Sequence, residues 1–151
     1  MKTLVILIGV PGSGKSFYAK ELEAIGYVRI NQDMFKGDRG SVTAAFDKAL
    51  SEGKNIVLDR CNINKDQRRP WLNKAMSAGY EERIGVTFDT PIQTCITRIK
   101  NREGHETIPS STSLDKIQEI VTSFDESSET PEFVEGFTSF IHKQYVKLRS
   151  E

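Results

Sequence analysis

The chain has 151 residues, and its 21 Lys and Arg balance its 21 Asp and Glu, for a formal net charge of zero. That is the size of one domain with a sizeable core, and the balance argues against coating long nucleic acid by bulk charge, though not against gripping the end of a strand. Cys61 and Cys95 are far apart with no CxxC pattern, which argues against a zinc site and points to reduced thiols in a cytoplasmic or nuclear protein.

Residues 4–8 are a continuous apolar run that leads straight into glycines and a lysine. It is too short for a membrane span and does not read as a signal peptide, so a strand covered on both faces is expected, in a protein neither secreted nor membrane-bound. Residues 14–25 read as a helix with Phe17, Leu22 and Ile25 among its apolar positions, stopped by Gly26. A short strand follows at 27–30. Helical spacing returns at 41–51 with Val42, Ala45, Phe46, Ala49 and Leu50, and Gly53 marks the C-terminal end. Residues 55–58 form a strand ending at Asp59, and 66–78 a helix with Trp71, Leu72, Ala75 and Met76 inward, closed by Gly79.

A fourth strand is expected at 83–88. Thr90-Pro91 then opens a helix carrying Ile92, Cys95, Ile96 and Ile99. Residues 101–113 are polar without periodicity, the pattern of a mobile loop, and 114–124 are helical. The acidic stretch 125–135 reads as a solvated connection. The tail from 137 to 146 fits a strand or a helix equally. Alternation of strand and helix predicts an α/β domain with a mostly parallel sheet, right-handed crossovers and ligands at the carboxyl ends of the strands. The polar clusters at 9–16, 31–33 and 59–62 each follow a strand and should meet on one edge.

Gly9-Val10-Pro11-Gly12-Ser13-Gly14-Lys15-Ser16 fits G-x-x-x-x-G-K-[ST] throughout, with a strand before it and a helix after it. Glycines let the backbone approach a phosphate closely, the loop N–H groups form an anion nest, and the helix N-terminus adds partial positive charge. The nucleotide-binding set is therefore Gly9, Pro11, Gly12, Ser13, Gly14, Lys15, Ser16 and Phe17. Lys15 is expected to reach the β- and γ-phosphates, and the Ser16 hydroxyl to coordinate Mg2+. Asp33 follows the second strand, where a carboxylate can orient an acceptor hydroxyl and take its proton. Asp59, at the end of the third strand, is placed to hold the magnesium, most simply through water. Arg98, Arg102 and His105 lie in or beside the polar loop, where closing cations can stabilise a transferring phosphoryl group and exclude water; Arg98, near a helix end, equally suits the helix dipole. Arg60, Lys65, Arg68 and Arg69 either approach a polyanionic substrate or form a solvated helix face.

Taken in order, residues 9–16, Asn31-Gln32-Asp33, Asp59-Arg60-Cys61-Asn62 with Gln67-Arg68-Arg69, Arg98 with Arg102, and Pro131 to Phe137 resemble the 5′-hydroxyl polynucleotide kinase family over nearly the whole chain. The resemblance implies a P-loop NTPase fold like that of nucleoside monophosphate kinases, with five parallel strands in the order 2-3-1-4-5 and a final strand around 137–141. It implies that Asp33 is the general base for a 5′-OH. Arg102 and Arg98 would contact the phosphates of ATP or GTP from a lid at about 101–124. On the acceptor side it implicates Asp33, Lys36, Arg39, Asp59, Arg60 and Asn62. Family members often carry an Arg three residues after the base, and here that position is Lys36, a point charge in place of a fork; Arg39 offers a substitute. The expectation is one kinase domain over 1–151 acting on the 5′-OH end of RNA or DNA, either alone or fused or associated with phosphatase or ligase modules. Two other readings stand beside it. One is a P-loop kinase of a small-molecule hydroxyl, which zero net charge suits. The other is a nucleotide-dependent binding module, against which no N-K-x-D signature follows the fourth strand, where Phe88-Asp89-Thr90-Pro91 stands.

Overall fold

The structure is a computed structural model that describes residues 1–31, 39–101, 108 and 111–147, with Arg39 described for its backbone alone. Its strands are β1 (Thr3–Ile8), β2 (Val28–Ile30), β3 (Ile56–Leu58), β4 (Glu82–Phe88) and β5 (Ser139–Lys143). Between them run helices α1 (Lys15–Ala24), α2 (Arg39–Ser51), α3 (Lys65–Ser77), α4 (Ile92–Asn101) and α5 (Leu114–Glu126). The five strands form one parallel sheet in the order β2-β3-β1-β4-β5. This is the fold of P-loop kinases, and the tail that fitted either element is its edge strand.

β1 is buried along its whole length, and its alternating side chains divide the core in two. Leu4, Ile6 and Ile8 pack with Phe46 of α2 and Trp71 and Leu72 of α3; the Phe46 and Trp71 rings meet edge to face, 4.9 Å between centroids. Val5 and Leu7 point the other way, with Val57, Val86 and Ala19 of α1. Full burial of each such side chain contributes about 1.5–3 kcal/mol, which makes β1 a rigid base for the loop that follows it. β5 docks where Gly85 leaves room: a Cβ there would stand 2.9 Å from the Phe140 ring. A separate apolar cluster joins Val10 to Cys95, Ile96 and Ile99 of α4 and to Ile117 and Val121 of α5.

Several expectations are corrected. Phe17 and Ile25 are exposed, at 74% and 73%, because the inward side of α1 is set by Lys15 and Ala19 and Phe17 lies about 200° round the helix from Lys15. Met76 is 39% exposed and lies against Gly136 rather than in the core. The acidic stretch is not simply solvated. It folds back on the start of α3, where the Glu129 N–H donates to the Ile63 carbonyl at 2.7 Å and Lys65 pairs with Glu132 at 2.7 Å. Glu132 and Glu135 close a capping box around the 3-10 turn Phe133–Glu135. Arg68 is neither solvated nor turned to a substrate. It is fully buried, donating to both Glu135 oxygens at 2.8 and 3.1 Å and to the Asn62 carbonyl at 2.8 Å. Among the described residues, no helix is long and apolar enough to cross a membrane.

Candidate active site

The phosphate-binding loop lies between β1 and α1. Gly12 and Gly14 take positive φ of 82° and 107°, a region that side chains resist. At Gly12 space is also short, since a Cβ would meet the Cys95 carbonyl oxygen at 2.6 Å. The loop is tied at several points. The Gly9 N–H donates to the Cys61 carbonyl at 3.0 Å, and the Ser13 N–H to the Val10 carbonyl at 3.2 Å. The Thr90 hydroxyl donates to the Ser13 carbonyl at 2.8 Å. Arg98 reaches the Gly12 carbonyl through Nη1 at 3.4 Å, with its guanidinium 5.6 Å from the Tyr145 ring centre. Lys15 is buried and donates to the Val10 carbonyl at 2.8 Å.

Next to the loop stands a buried carboxylate. Asp59 Oδ2 accepts from the Ser16 hydroxyl at 3.3 Å and from Asn31 Nδ2 at 3.2 Å. It also accepts from Arg29, through Nε at 2.9 Å and Nη2 at 2.6 Å. The ends of β1, β2 and β3 therefore come together, as the three polar clusters implied. A hydroxyl in contact with a carboxylate beside an anion nest is a hard, all-oxygen donor pair and suits Mg2+, which takes one or two protein ligands and completes its shell with phosphates and water. Among the described residues no group of three or more His, Cys, Asp or Glu gathers as a metal cage.

The remaining candidates are placed as follows. The Arg60 guanidinium lies 5.6 Å from the Trp71 ring centre. Asn62 is buried with φ at 47°, and its amide donates to the Leu7 and Arg60 carbonyls at 2.8 and 3.1 Å, which fixes the turn after β3. Pro11, Ser13 and Gly14 lie in the loop as expected, and Phe17 stands exposed in the first turn of α1. Asp33, Lys36, the Arg39 side chain, Arg102 and His105 lie outside the described residues. Burial pushes the Cys95 thiol up to about 11, against the opposing pull of Lys15 and Arg98. Arg29 was missed from sequence. The signal available was a charged residue between Val28 and Ile30 in an apolar strand, a position that demands a buried partner.

A family model described as an AAA domain matches residues 4–41 and 39–127. A bifunctional polynucleotide phosphatase/kinase of Schizosaccharomyces pombe is 34% identical over 94 residues, covering 62% of this chain and 20% of that protein. The chain spans between 15% and 38% of the length of the curated relatives it matches. Among solved structures, a fungal RNA kinase superposes with a TM-score of 0.68 at 16% identity, covering 100% of this chain and 80% of that one. A gluconokinase of Sinorhizobium meliloti superposes with a TM-score of 0.63 at 20% identity, covering 97% and 85%.

Proposed function

Because this chain belongs to the AAA domain family of P-loop proteins, we propose that it is a polynucleotide 5′-hydroxyl kinase, moving the γ-phosphate of ATP or GTP to the 5′-OH end of RNA or DNA. The observation that carries this reading is the meeting of Ser16, Asp59 and Asn31 beside the phosphate-binding loop. It joins a metal-binding pair on the donor side to Asn31, two residues before Asp33 in the sequence. The similarity to a polynucleotide phosphatase/kinase supports a nucleic-acid end as the acceptor.

The loop N–H groups cradle the β- and γ-phosphates, and Lys15 leaves the Val10 carbonyl to reach them. Magnesium, when bound, neutralises charge on the phosphate oxygens; Ser16 would hold it directly and Asp59 through water. Asp33 accepts the proton of the 5′-hydroxyl as its oxygen bonds to the γ-phosphorus. The bond from that phosphorus to the β-phosphate oxygen breaks, and the nucleoside diphosphate leaves. Arg98 from α4, beside the loop, and Arg102 from a lid at about 101–124 supply positive charge to the transferring group. Lys36 and Arg39, with Arg60 and Asn62 framing the loop after β3, form the acceptor side. The domain runs over 1–151 and works alone or with phosphatase or ligase modules.

The test is transfer of labelled γ-phosphate from ATP or GTP, with Mg2+, to 5′-OH RNA and DNA oligonucleotides, with Asp33→Ala as control. Label on an oligonucleotide that disappears in the variant, while nucleotide binding stays, is the expected result. No label on any strand, from protein that still binds nucleotide, rejects the polynucleotide acceptor. It would favour a small hydroxyl compound, the reading that zero net charge suits.

A further inference from the structure

Two N–H groups of the Arg29 guanidinium fall on one oxygen, Asp59 Oδ2, at 2.9 and 2.6 Å. The usual fork pairs each N–H with a different carboxylate oxygen. Asn31 and Ser16 give their hydrogens to the same Oδ2. The carboxylate is thus pinned in rotation. The two side chains are 8% and 3% exposed, so the pair is shielded from solvent. A Ser hydroxyl has one hydrogen and two lone pairs. With its hydrogen on Asp59, Ser16 would meet a metal through a lone pair, as a metal ligand must.

We infer that Arg29 is a positioning residue: it fixes the Asp59 carboxylate, and through it the Ser16 hydroxyl, for the magnesium that accompanies the nucleotide. The inference rests on the nucleotide-and-magnesium part of the proposed function and does not depend on the acceptor. In this proposal Arg29 itself contacts neither nucleotide nor metal. It acts as outer-shell partners of metal ligands do, by setting the direction of the group that binds. It also balances the charge of Asp59, which could not stay buried and ionised alone.

The experiment follows binding of a fluorescent ATP analogue to the full chain as Mg2+ is raised, with thermal melts to verify folding. Wild type is compared with Arg29→Gln, Arg29→Lys, Asp59→Asn and the Arg29→Gln/Asp59→Asn double variant. Loss of an outer-shell partner typically weakens metal affinity about 10–100-fold, so Arg29→Gln should raise the half-saturating Mg2+ by about tenfold or more, with analogue binding in excess chelator unchanged. Arg29→Lys keeps the charge but not the paired N–H groups, and should fall between. Asp59→Asn should raise the Mg2+ requirement comparably, and the double variant should be no worse than Asp59→Asn. A wild-type Mg2+ dependence in Arg29→Gln overturns the inference. So does an Arg29 effect that persists undiminished when Asp59 is already Asn, and this comparison remains readable if Arg29→Gln alone fails to fold. No acceptor is present, so failed transfer to a 5′-OH and failure here are separate results.

Discussion

The Lys15 ammonium donates to the Val10 carbonyl five residues before it, at 2.8 Å, so the loop's own backbone holds the cation in place. In the proposed function, nucleotide binding would exchange that carbonyl for phosphate oxygens. Lys15→Ala removes the charge at the transferring group, and single-turnover transfer should fall by roughly a thousand-fold or more. Stability should fall by only about 1 kcal/mol, the net worth of one hydrogen bond, which a denaturant melt would read. Equal losses of both would mean that Lys15 serves the loop's fold and not its chemistry.

Two glycines separate backbone strain from crowding. Gly26 has φ at 105° with nothing within 4 Å of an added Cβ, so Gly26→Ala should cost about 1–3 kcal/mol and leave nucleotide affinity alone. Gly12 combines φ at 82° with the Cys95 carbonyl oxygen at 2.6 Å from the new Cβ. Gly12→Ala must also push α4 away from the loop. It should melt lower than Gly26→Ala and lose nucleotide binding, read by melts and titration with nucleotide.

Arg68 and Glu135 form an ion pair with side chains 0% and 8% exposed. Arg68→Ala would leave a buried carboxylate unpaired and should cost about 3–5 kcal/mol. Arg68→Met combined with Glu135→Leu removes both charges and should recover most of that loss in urea melts. A double variant as unstable as the single one would show that the Arg68 bond to the Asn62 carbonyl or the Glu135 cap on the Glu132 N–H, and not the ion pair, holds this region.

Cys95 sets an alkaline limit. Its thiol is raised from 9.0 to about 11 by burial. The unfolded chain therefore gives up this proton first as pH rises. The contribution to stability is complete below pH 9.0, declines through the interval and is gone above about 11. Tyr18 and Tyr80 are raised too, by burial before any charge, and add in the same direction. Cys95→Ala should remove part of the alkaline slope in urea melts taken across that range. An unchanged slope would assign it to the tyrosines and to Lys65, which its hydrogen bond to Glu132 raises as well.

The phosphate-binding loop and the strands around it were legible because their signals are local: an apolar run, spaced glycines, a lysine and a hydroxyl within a dozen residues. The meeting of the three polar clusters followed from parallel topology alone. Arg68 and Glu135 were not legible as a pair, since 67 positions separate them. On the sequence one was a basic helix residue and the other part of an acidic stretch. Arg29 was passed over for the same reason, its partner being 30 positions away. β5 is short, edge-lying and mostly exposed, so it lacks the two-sided apolar run that announced β1. Phe17 misled because hydrophobicity was counted without phase: the turn that brings Lys15 inward carries Phe17 out.

The central place of β1 has a consequence for how the chain comes to be folded. Although made first, β1 lies between β3 and β4, and its loop is tied to Cys61, Thr90 and Arg98. During synthesis the complete phosphate-loop motif emerges long before any of these partners exists. Contacts so distant along the chain close slowly, and until they do the apolar faces of β1 stand uncovered and open to wrong partners.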